Sequence, residues 1–383
     1  MSAKKLKIIH SEASHGWGGQ EIRILTEANW FRKIGHQIIF ILPEQSTLYQ
    51  KVSKSFQTYV VPFTRNTQLL DLWKAFNIFQ KERPDVVATH SSVDSWVGLS
   101  GAKLAGIPTK VRYRHVSTPV TQNAFNRFQY RKLCDHIITT GDCIRTPLID
   151  QFSLSPQKVH TIPTGLVPPD KLPDRSVARA ALARELGLPP ESRFMGQISV
   201  LRSWKGHPDL IQSWEKIAPL CPHHHLILVG EGPCYQALLN QASASAFGDR
   251  IQLIGHRKDV YPYFRAFDVA ILASFKNEGI PQSGLQAMYA ETPFIGTKVG
   301  GIPEIIQDRV TGFLVEPRQP EALAKAVIGC LEYPDLEKLI QRAKKQVLNK
   351  GLVNTMGNAV YDVIRTTNKA PTKLPSYPKH SLR

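Results

Sequence analysis

The sequence predicts an α/β protein made of two successive halves, each a parallel sheet covered by helices on both faces. Three observations carry this reading. Short apolar runs of strand length alternate with stretches of helical periodicity along the chain. Several of these runs end in Gly-rich turns, the joint by which a strand enters a helix. Midway, Ile162-Pro163-Thr164-Gly165 closes the first alternation, and a Pro-rich linker, Pro168–Pro173, separates it from the second. Two halves of this kind leave a cleft between the carboxyl ends of their sheets.

In chain order, the first half begins with a strand at Leu6–Ile9, followed by the Gly-rich loop His15-Gly16-Trp17-Gly18-Gly19. Ile24, Ala28, Phe31 and Ile34 then recur at helical spacing, and Gly35 is placed to end that helix before the strand Ile38–Leu42. Leu69–Gln80 reads as a helix, and the turn Arg83-Pro84-Asp85 leads into the strand Val86–Thr89. Strands follow at Lys110–Tyr113 and His136–Thr139. In the second half a helix over Val177–Leu186 is stopped by Gly187. The strands are Phe194–Ser199, Leu226–Val229, Ile251–Ile254, Val269–Ala273 and Phe294–Thr297. The implied domains are 1–166 and 167–355, with a terminal helix over 356–366 returning to the first. Residues 367–383, with three prolines, four Lys/Arg and no acid, read as a disordered basic tail.

Composition excludes several classes. At 383 residues, 42% hydrophobic and 21% charged, the chain suits two globular domains with full cores. Its longest apolar runs, such as Ile38–Leu42, are too short to span a membrane. The start, MSAKKLKIIH, runs into a strand without a secretory pattern, and five cysteines include no CxxC pair. A reduced, cytoplasmic protein is expected, placed peripherally on the inner face of the cytoplasmic membrane. The net charge is +17, and no acid occurs between Asp94 and Asp135. That stretch carries Lys103, Lys110, Arg112, Arg114, Arg127, Arg131 and Lys132, interleaved with Tyr113, Phe125, Phe128 and Tyr130. Such a patch suits lipid head groups, a phosphorylated glycan or nucleic acid, and a solvated basic face is the plain alternative. No RNA-binding motif orders the aromatics, which argues against nucleic acid.

The chemistry concentrates in the second half. After Val269–Ala273 a polar loop carries Glu278, and Gly279, Ile280 and Pro281 lead into a helix bearing Gln282, Ser283 and Gln286. A helix start aims unpaired N–H groups at what lies in front of it, which favours an anion. Arg202 and Lys205 follow another strand end and supply cations suited to a diphosphate, although alone they read as ordinary surface charges. Leu228-Val229-Gly230-Glu231-Gly232-Pro233 and Thr297-Lys298-Val299-Gly300-Gly301-Ile302-Pro303-Glu304 are further Gly-rich turns. The run His223–His225 abuts a strand, where alternate side chains face opposite ways, so it makes a poor metal site. No Asp-x-Asp, Walker or Gly-x-Ser-x-Gly sequence occurs, and Gly18-Gly19 is no dinucleotide fingerprint.

The order Lys205-Gly206, Val229-Gly230-x-Gly232-Pro233, Glu278-x7-Gln286, Gly300-Gly301-Ile302-Pro303-Glu304 and Thr311-Gly312-Phe313 resembles glycosyltransferase family 4, of the GT-B architecture. The first half adds Gly18-Gly19-x-Glu21 and Ile162-Pro163-Thr164-Gly165. The resemblance implies two Rossmann-like domains with parallel sheets facing each other across a cleft. It also implies a retaining enzyme that moves a hexose-type sugar from a nucleotide diphosphate sugar to an acceptor hydroxyl. Glu278 would then bind hydroxyls of the donor sugar, and Gln286 would stand where the family holds the ribose. Gly279–Ser283 and Lys205, with Arg202, would hold the diphosphate. Gly18 and Gly19 would admit sugar and acceptor, and His115 would lie near the reacting carbon; a satisfied histidine at a strand end is its alternative. Two positions depart from the pattern. Val200 stands where the family's diphosphate arginine usually does, and Gln286 replaces a Glu. A Gln amide accepts one hydrogen bond and donates another, so it still suits a diol.

The acceptor expected from the basic stretch is an anionic, membrane-associated glycan or glycolipid such as a lipopolysaccharide core. The alternatives are a soluble sugar or sugar phosphate on the same fold, and a non-catalytic polyanion-binding protein. A cationic and helix-dipole clamp needs neither a metal nor a cofactor besides the donor.

Overall fold

A computed structural model describes residues 5–64 and 66–367. The tail expectation falls on residues outside this set, apart from Thr367, which ends the last helix. Seven strands, β1 (Lys7–Ser11), β2 (Gln37–Leu42), β3 (Gln57–Val60), β4 (Val86–Thr89), β5 (Thr109–Arg114), β6 (His136–Thr139) and β7 (Val159–Thr161), form the first sheet. Their order is β3-β2-β1-β4-β5-β6-β7. Six more, β8 (Arg193–Ile198), β9 (His224–Val229), β10 (Ile251–Leu253), β11 (Phe267–Leu272), β12 (Phe294–Thr297) and β13 (Phe313–Val315), form the second, in the order β10-β9-β8-β11-β12-β13. Every pairing is parallel; Ile9, for instance, lies between Ile39 and Val87. In both sheets the order reverses beside the first strand, which opens a crevice at the carboxyl ends.

Helices cover both faces, so the central strands bury side chains on either side. On the first sheet, Ile8, Phe40 and Ala88 face one core and Ile9, Ile39 and Val87 the other. On the second, Phe194 and Ala270 oppose Met195 and Val269 in the same way. Strands β3, β7 and β13 are absent from the sequence reading. They are edge strands of three or four residues, partly exposed, and too short to carry a periodic signal.

The chain crosses twice between the two sheets. The second crossing ends in the helix Val353–Thr367, which packs on the helix Gly19–Lys33. Its Met356, Val360, Tyr361 and Ile364 join the first core beside Trp30 and Phe31. A backbone bridge between Leu166 and Leu352 ties the two crossing segments together.

The expected basic patch is split by the fold. Arg112 is 1% exposed and belongs to the interior, where its guanidinium lies 6.0 Å from the Tyr130 ring. Tyr113 and Tyr130 are buried too. The reason is that β5 is an inner strand covered on both faces, so its middle residues Val111, Arg112 and Tyr113 are shut off from solvent and only its ends reach it. Lys110 pairs with Asp135 at 2.9 Å, and half-buried Arg114 donates to the Thr118 carbonyl. What remains on the surface is Lys103, Arg127, Arg131 and Lys132 around exposed Phe125 and Phe128.

Candidate active site

The loop after β11 builds the centre. Glu278 is 5% exposed, and its Oε1 accepts from Lys205 Nζ at 2.6 Å and from Ser274 Oγ at 2.5 Å. Among the described residues Oε2 has no partner, so one carboxylate oxygen is positioned and the other is available. The ion pair joins two strand ends that are 73 positions apart in sequence. Lys205 is held in turn through its backbone. Gln197, at the buried end of β8, donates from Nε2 to the Lys205 carbonyl at 2.8 Å and accepts from Ala273 N at 3.0 Å. His207 lies against Ser199 Oγ at 3.0 Å, and burial lowers its pKa to about 3, which keeps it neutral. Gly206, at φ +70, lets this turn pass against the Ala273 backbone.

Arg202 and Lys205 are not brought to one partner. Arg202 is exposed, with its guanidinium 5.1 Å from the Trp204 ring centre, while Lys205 is committed to Glu278. The helix after the loop spans Gln282–Tyr289 and begins at Pro281 without a side-chain cap. Its first N–H groups are therefore free to receive an anion. Gly279, Ser283 and Gln286 are half-buried, whereas Ile280 and Pro281 are buried and support the turn. Gln286 lies one turn beyond Gln282, which itself donates to the Thr164 carbonyl at 3.4 Å.

The first half meets this loop directly. A Cβ on Gly279 would lie 2.6 Å from the His115 carbonyl oxygen and 2.7 Å from Thr140 Oγ1, so only glycine permits the approach. Thr118 Oγ1 donates to Asn277 Oδ1 at 3.3 Å. The Gly-rich turn after β12 closes the other side. Gly300, at φ +54, packs on the Glu278 backbone, and Gly301 packs on Gly279. Gly18 and Gly19 start the helix Gly19–Lys33, where Gly18 N donates to Glu21 Oε2 at 2.8 Å and the space over Gly19 is open.

The sequence reading missed His10 and His90 behind His115, the carboxyl of Glu12, and the partner of Glu304. His115 ends a chain of buried imidazoles: His10 Nδ1 lies 3.0 Å from His90 Nε2, and His90 Nδ1 lies 3.0 Å from His115 Nε2. Burial, with Arg23, Arg112 and Arg114 nearby, holds His115 well below the usual histidine range. Glu12 is fully buried beside the first loop, and burial with the Asp94 charge raises its carboxyl to about 8. Glu304 reaches across to the opposite half, accepting from Asp142 N and Cys143 N at 2.8 Å each. The only sequence signal for Glu304 was its place in a Gly-rich turn; its partner was invisible.

Glu304 thus caps the helix Asp142–Phe152 from the other half of the molecule. A carboxylate at an exposed helix start contributes about 0.3–1 kcal/mol. Glu304→Ala is expected to shift the closed arrangement toward an open one by up to about fivefold. The check is the radius of gyration by small-angle X-ray scattering with nucleotide present. A curve identical to that of the unaltered protein would remove Glu304 from domain closure.

Among the described residues, no group of three or more His, Cys, Asp or Glu is arranged to hold a metal ion. His224 instead faces Asp268 Oδ2 at 3.4 Å, beside the Arg179–Asp268 pair.

Comparison with known proteins bears on both halves. Residues 17–168 match the model described as Glycosyltransferase Family 4, and residues 190–333 match that described as Glycosyl transferases group 1. N-acetyl-alpha-D-glucosaminyl L-malate synthase of Bacillus anthracis is 31% identical over 189 residues. That alignment spans about half of each protein, 48% of this chain and 49% of the relative. UDP-Gal:alpha-D-GlcNAc-diphosphoundecaprenol alpha-1,3-galactosyltransferase of Escherichia coli is 24% identical across 90% of this chain and 93% of its own. The crystal structure of Anabaena Alr3699/HepE in complex with UDP-glucose superposes with a TM-score of 0.79 at 19% identity, covering 94% of this chain and all of that one. The fold is therefore GT-B, and with family models matching both of its halves the chain belongs to glycosyltransferase family 4.

Proposed function

We infer that the protein transfers a hexose-type sugar from a nucleotide diphosphate sugar to a hydroxyl of an anionic, membrane-associated glycan or glycolipid. The observation that carries this reading is Glu278, locked to Lys205 beside an uncapped helix start, with the adjoining Gly279 against the His115 carbonyl of the other half. The Escherichia coli relative's name includes UDP-Gal, and the Anabaena structure contains UDP-glucose; both support a nucleotide-sugar donor.

Glu278 Oε2 accepts donor-sugar hydroxyls while Oε1 stays on Lys205 and Ser274. An ammonium has three N–H donors, so Lys205 keeps two for the diphosphate after its bond to Glu278. The N–H groups at Gln282 and Ser283 add their dipole, and exposed Arg202 adds a second cation. Gln286 takes the ribose diol. As the glycosidic bond loosens, charge grows on the leaving phosphate, and these groups stabilise it there. No second carboxylate stands with Glu278 among the contacts described, so front-side attack is preferred. The departing phosphate oxygen then takes the acceptor proton, and the configuration is retained. No step calls for a metal or a further cofactor.

The acceptor reading rests on the surface of the first half. Exposed Phe125 and Phe128 stand among Lys103, Arg127, Arg131 and Lys132, a combination suited to an anionic head-group layer. No helix among the described residues is long and apolar enough to cross a membrane. Contact with the inner face of the cytoplasmic membrane is accordingly proposed as peripheral.

A panel of nucleotide diphosphate sugars scored by thermal shift tests the donor, since a ligand at 100 times its Kd stabilises by about 2.7 kcal/mol. No shift with any member of the panel would sink the donor assignment. Sedimentation with anionic vesicles tests the acceptor side. Binding should weaken with salt and with Arg127→Glu/Lys132→Glu, whereas salt-independent binding, or none, favours a soluble acceptor.

A further inference from the structure

We propose that His10 and His90 are positioning residues that hold His115 as the tautomer protonated on Nδ1. The cleft then meets a neutral N–H donor at His115. The consequence for transfer rests on the function proposed above; the tautomer does not.

The argument is one of counting. Three neutral imidazoles carry three N–H groups, and the two ring-to-ring contacts, each 3.0 Å, take one hydrogen apiece. His90 has a single hydrogen and sits in both contacts, which leaves two arrangements. In one, His10 donates from Nδ1 to His90, His90 donates from Nδ1 to His115 Nε2, and the remaining hydrogen sits on His115 Nδ1. In the other, every donation runs the opposite way and the remaining hydrogen sits on His10 Nε2. That atom is buried and has no partner, and buried N–H groups without an acceptor are what folded proteins avoid. At the cleft end, His115 is 8% exposed and its Nδ1 has no partner among the described residues, so a ligand can receive its hydrogen there.

The neighbours keep the chain neutral and fixed. Arg23, Arg112 and Arg114 face His115, and Arg23 and Arg112 face His90; these cations and burial oppose a further proton on either ring. Burial also takes His10 to about 3. Tyr113 stacks on His90 with ring centres 4.5 Å apart, and its hydroxyl donates to Glu27 Oε1 at 2.5 Å. Asp94 accepts from the His90 backbone N–H at 2.9 Å, which sets where the middle ring stands. His115 therefore orients a substrate oxygen and does not move a proton.

The experiment is long-range 15N–1H correlation of the histidine rings in the full-length labelled protein, with peaks assigned by single substitutions. His115 is expected to carry its hydrogen on Nδ1 with a bare Nε2. A wild-type spectrum with the hydrogen on Nε2, or with the two forms averaged, overturns the proposal. His90→Leu removes both contacts, and should let the two His115 forms average and lower kcat about tenfold, with nucleotide affinity unchanged. His90→Asn restores a donor near the original Nδ1 and should recover the fixed form and most of kcat. Equal kcat for the two variants would also overturn it. Should no donor be turned over at all, the proposed function fails while the wild-type spectrum still decides the tautomer.

Discussion

Glu278→Gln is expected to lower kcat for sugar transfer by about 10²–10³-fold, the loss typical of removing one group that is aligned with developing charge. The substitution keeps the shape of the side chain, and an amide oxygen can still accept from Lys205 and Ser274. What changes is charge. Lys205 loses its counter-ion, and with the amide oxygen kept on Lys205 and Ser274 the position that meets the sugar becomes an N–H donor in place of an acceptor. Nucleotide binding depends on the helix start at Gln282 and on Lys205, so its affinity should change by less than about threefold, a difference of under 1 kcal/mol. The measurement pairs isothermal titration of the nucleotide with a transfer assay on the donor that the thermal panel selects. Full transfer activity in the variant would remove Glu278 from the chemistry.

Gly300→Ala should disable transfer by a different route. Gly300 has φ +54, and a Cβ there would overlap the Glu278 carbonyl oxygen and lie 3.0 Å from the Glu278 Cβ. Both partners are anchored, since Glu278 is tied to Lys205 and Ser274. The backbone must therefore yield, at a cost of about 1–3 kcal/mol for overpacking with a left-handed alanine in addition. A displacement of about 1 Å at a reacting centre lowers the rate about 10²-fold. The expected result is a folded protein with a lower Tm and about 1% of the transfer rate, retaining the nucleotide-induced thermal shift. Wild-type kinetics would show that the turn after β12 is free to move and does not position the carboxylate.

Much of the fold was legible. β4, β6 and β12 occupy the residues that their apolar runs mark, and the helix Gln68–Glu82 extends the expected span by one or two residues at each end. The edge strands β3, β7 and β13 were not legible, because three or four residues are too few to show a strand's alternation. The site divides in the same way. Glu278, Lys205 and the helix start were readable from motif order, and the residues that hold them were not. Gln197 is one polar residue in an apolar strand, and nothing local shows that it ties Lys205 to Ala273. Arg112 read as surface charge because a run without acids looks solvated, yet its strand lies inside a covered sheet.

The sequence by itself determined that there are two parallel α/β halves and which turns at strand ends carry Lys205, Glu278 and the helix start at Gln282. Those properties depend on side-chain period and on spacings of a few residues, which local geometry converts directly into strands, turns and helix starts. Only the tertiary structure decided that Lys205 neutralises Glu278, that His10 and His90 stand behind His115, and that Glu304 caps a helix of the opposite half. These contacts join residues from 25 to 162 positions apart. Such pairings follow from which strand ends share an edge and which halves meet, and no local spacing encodes either.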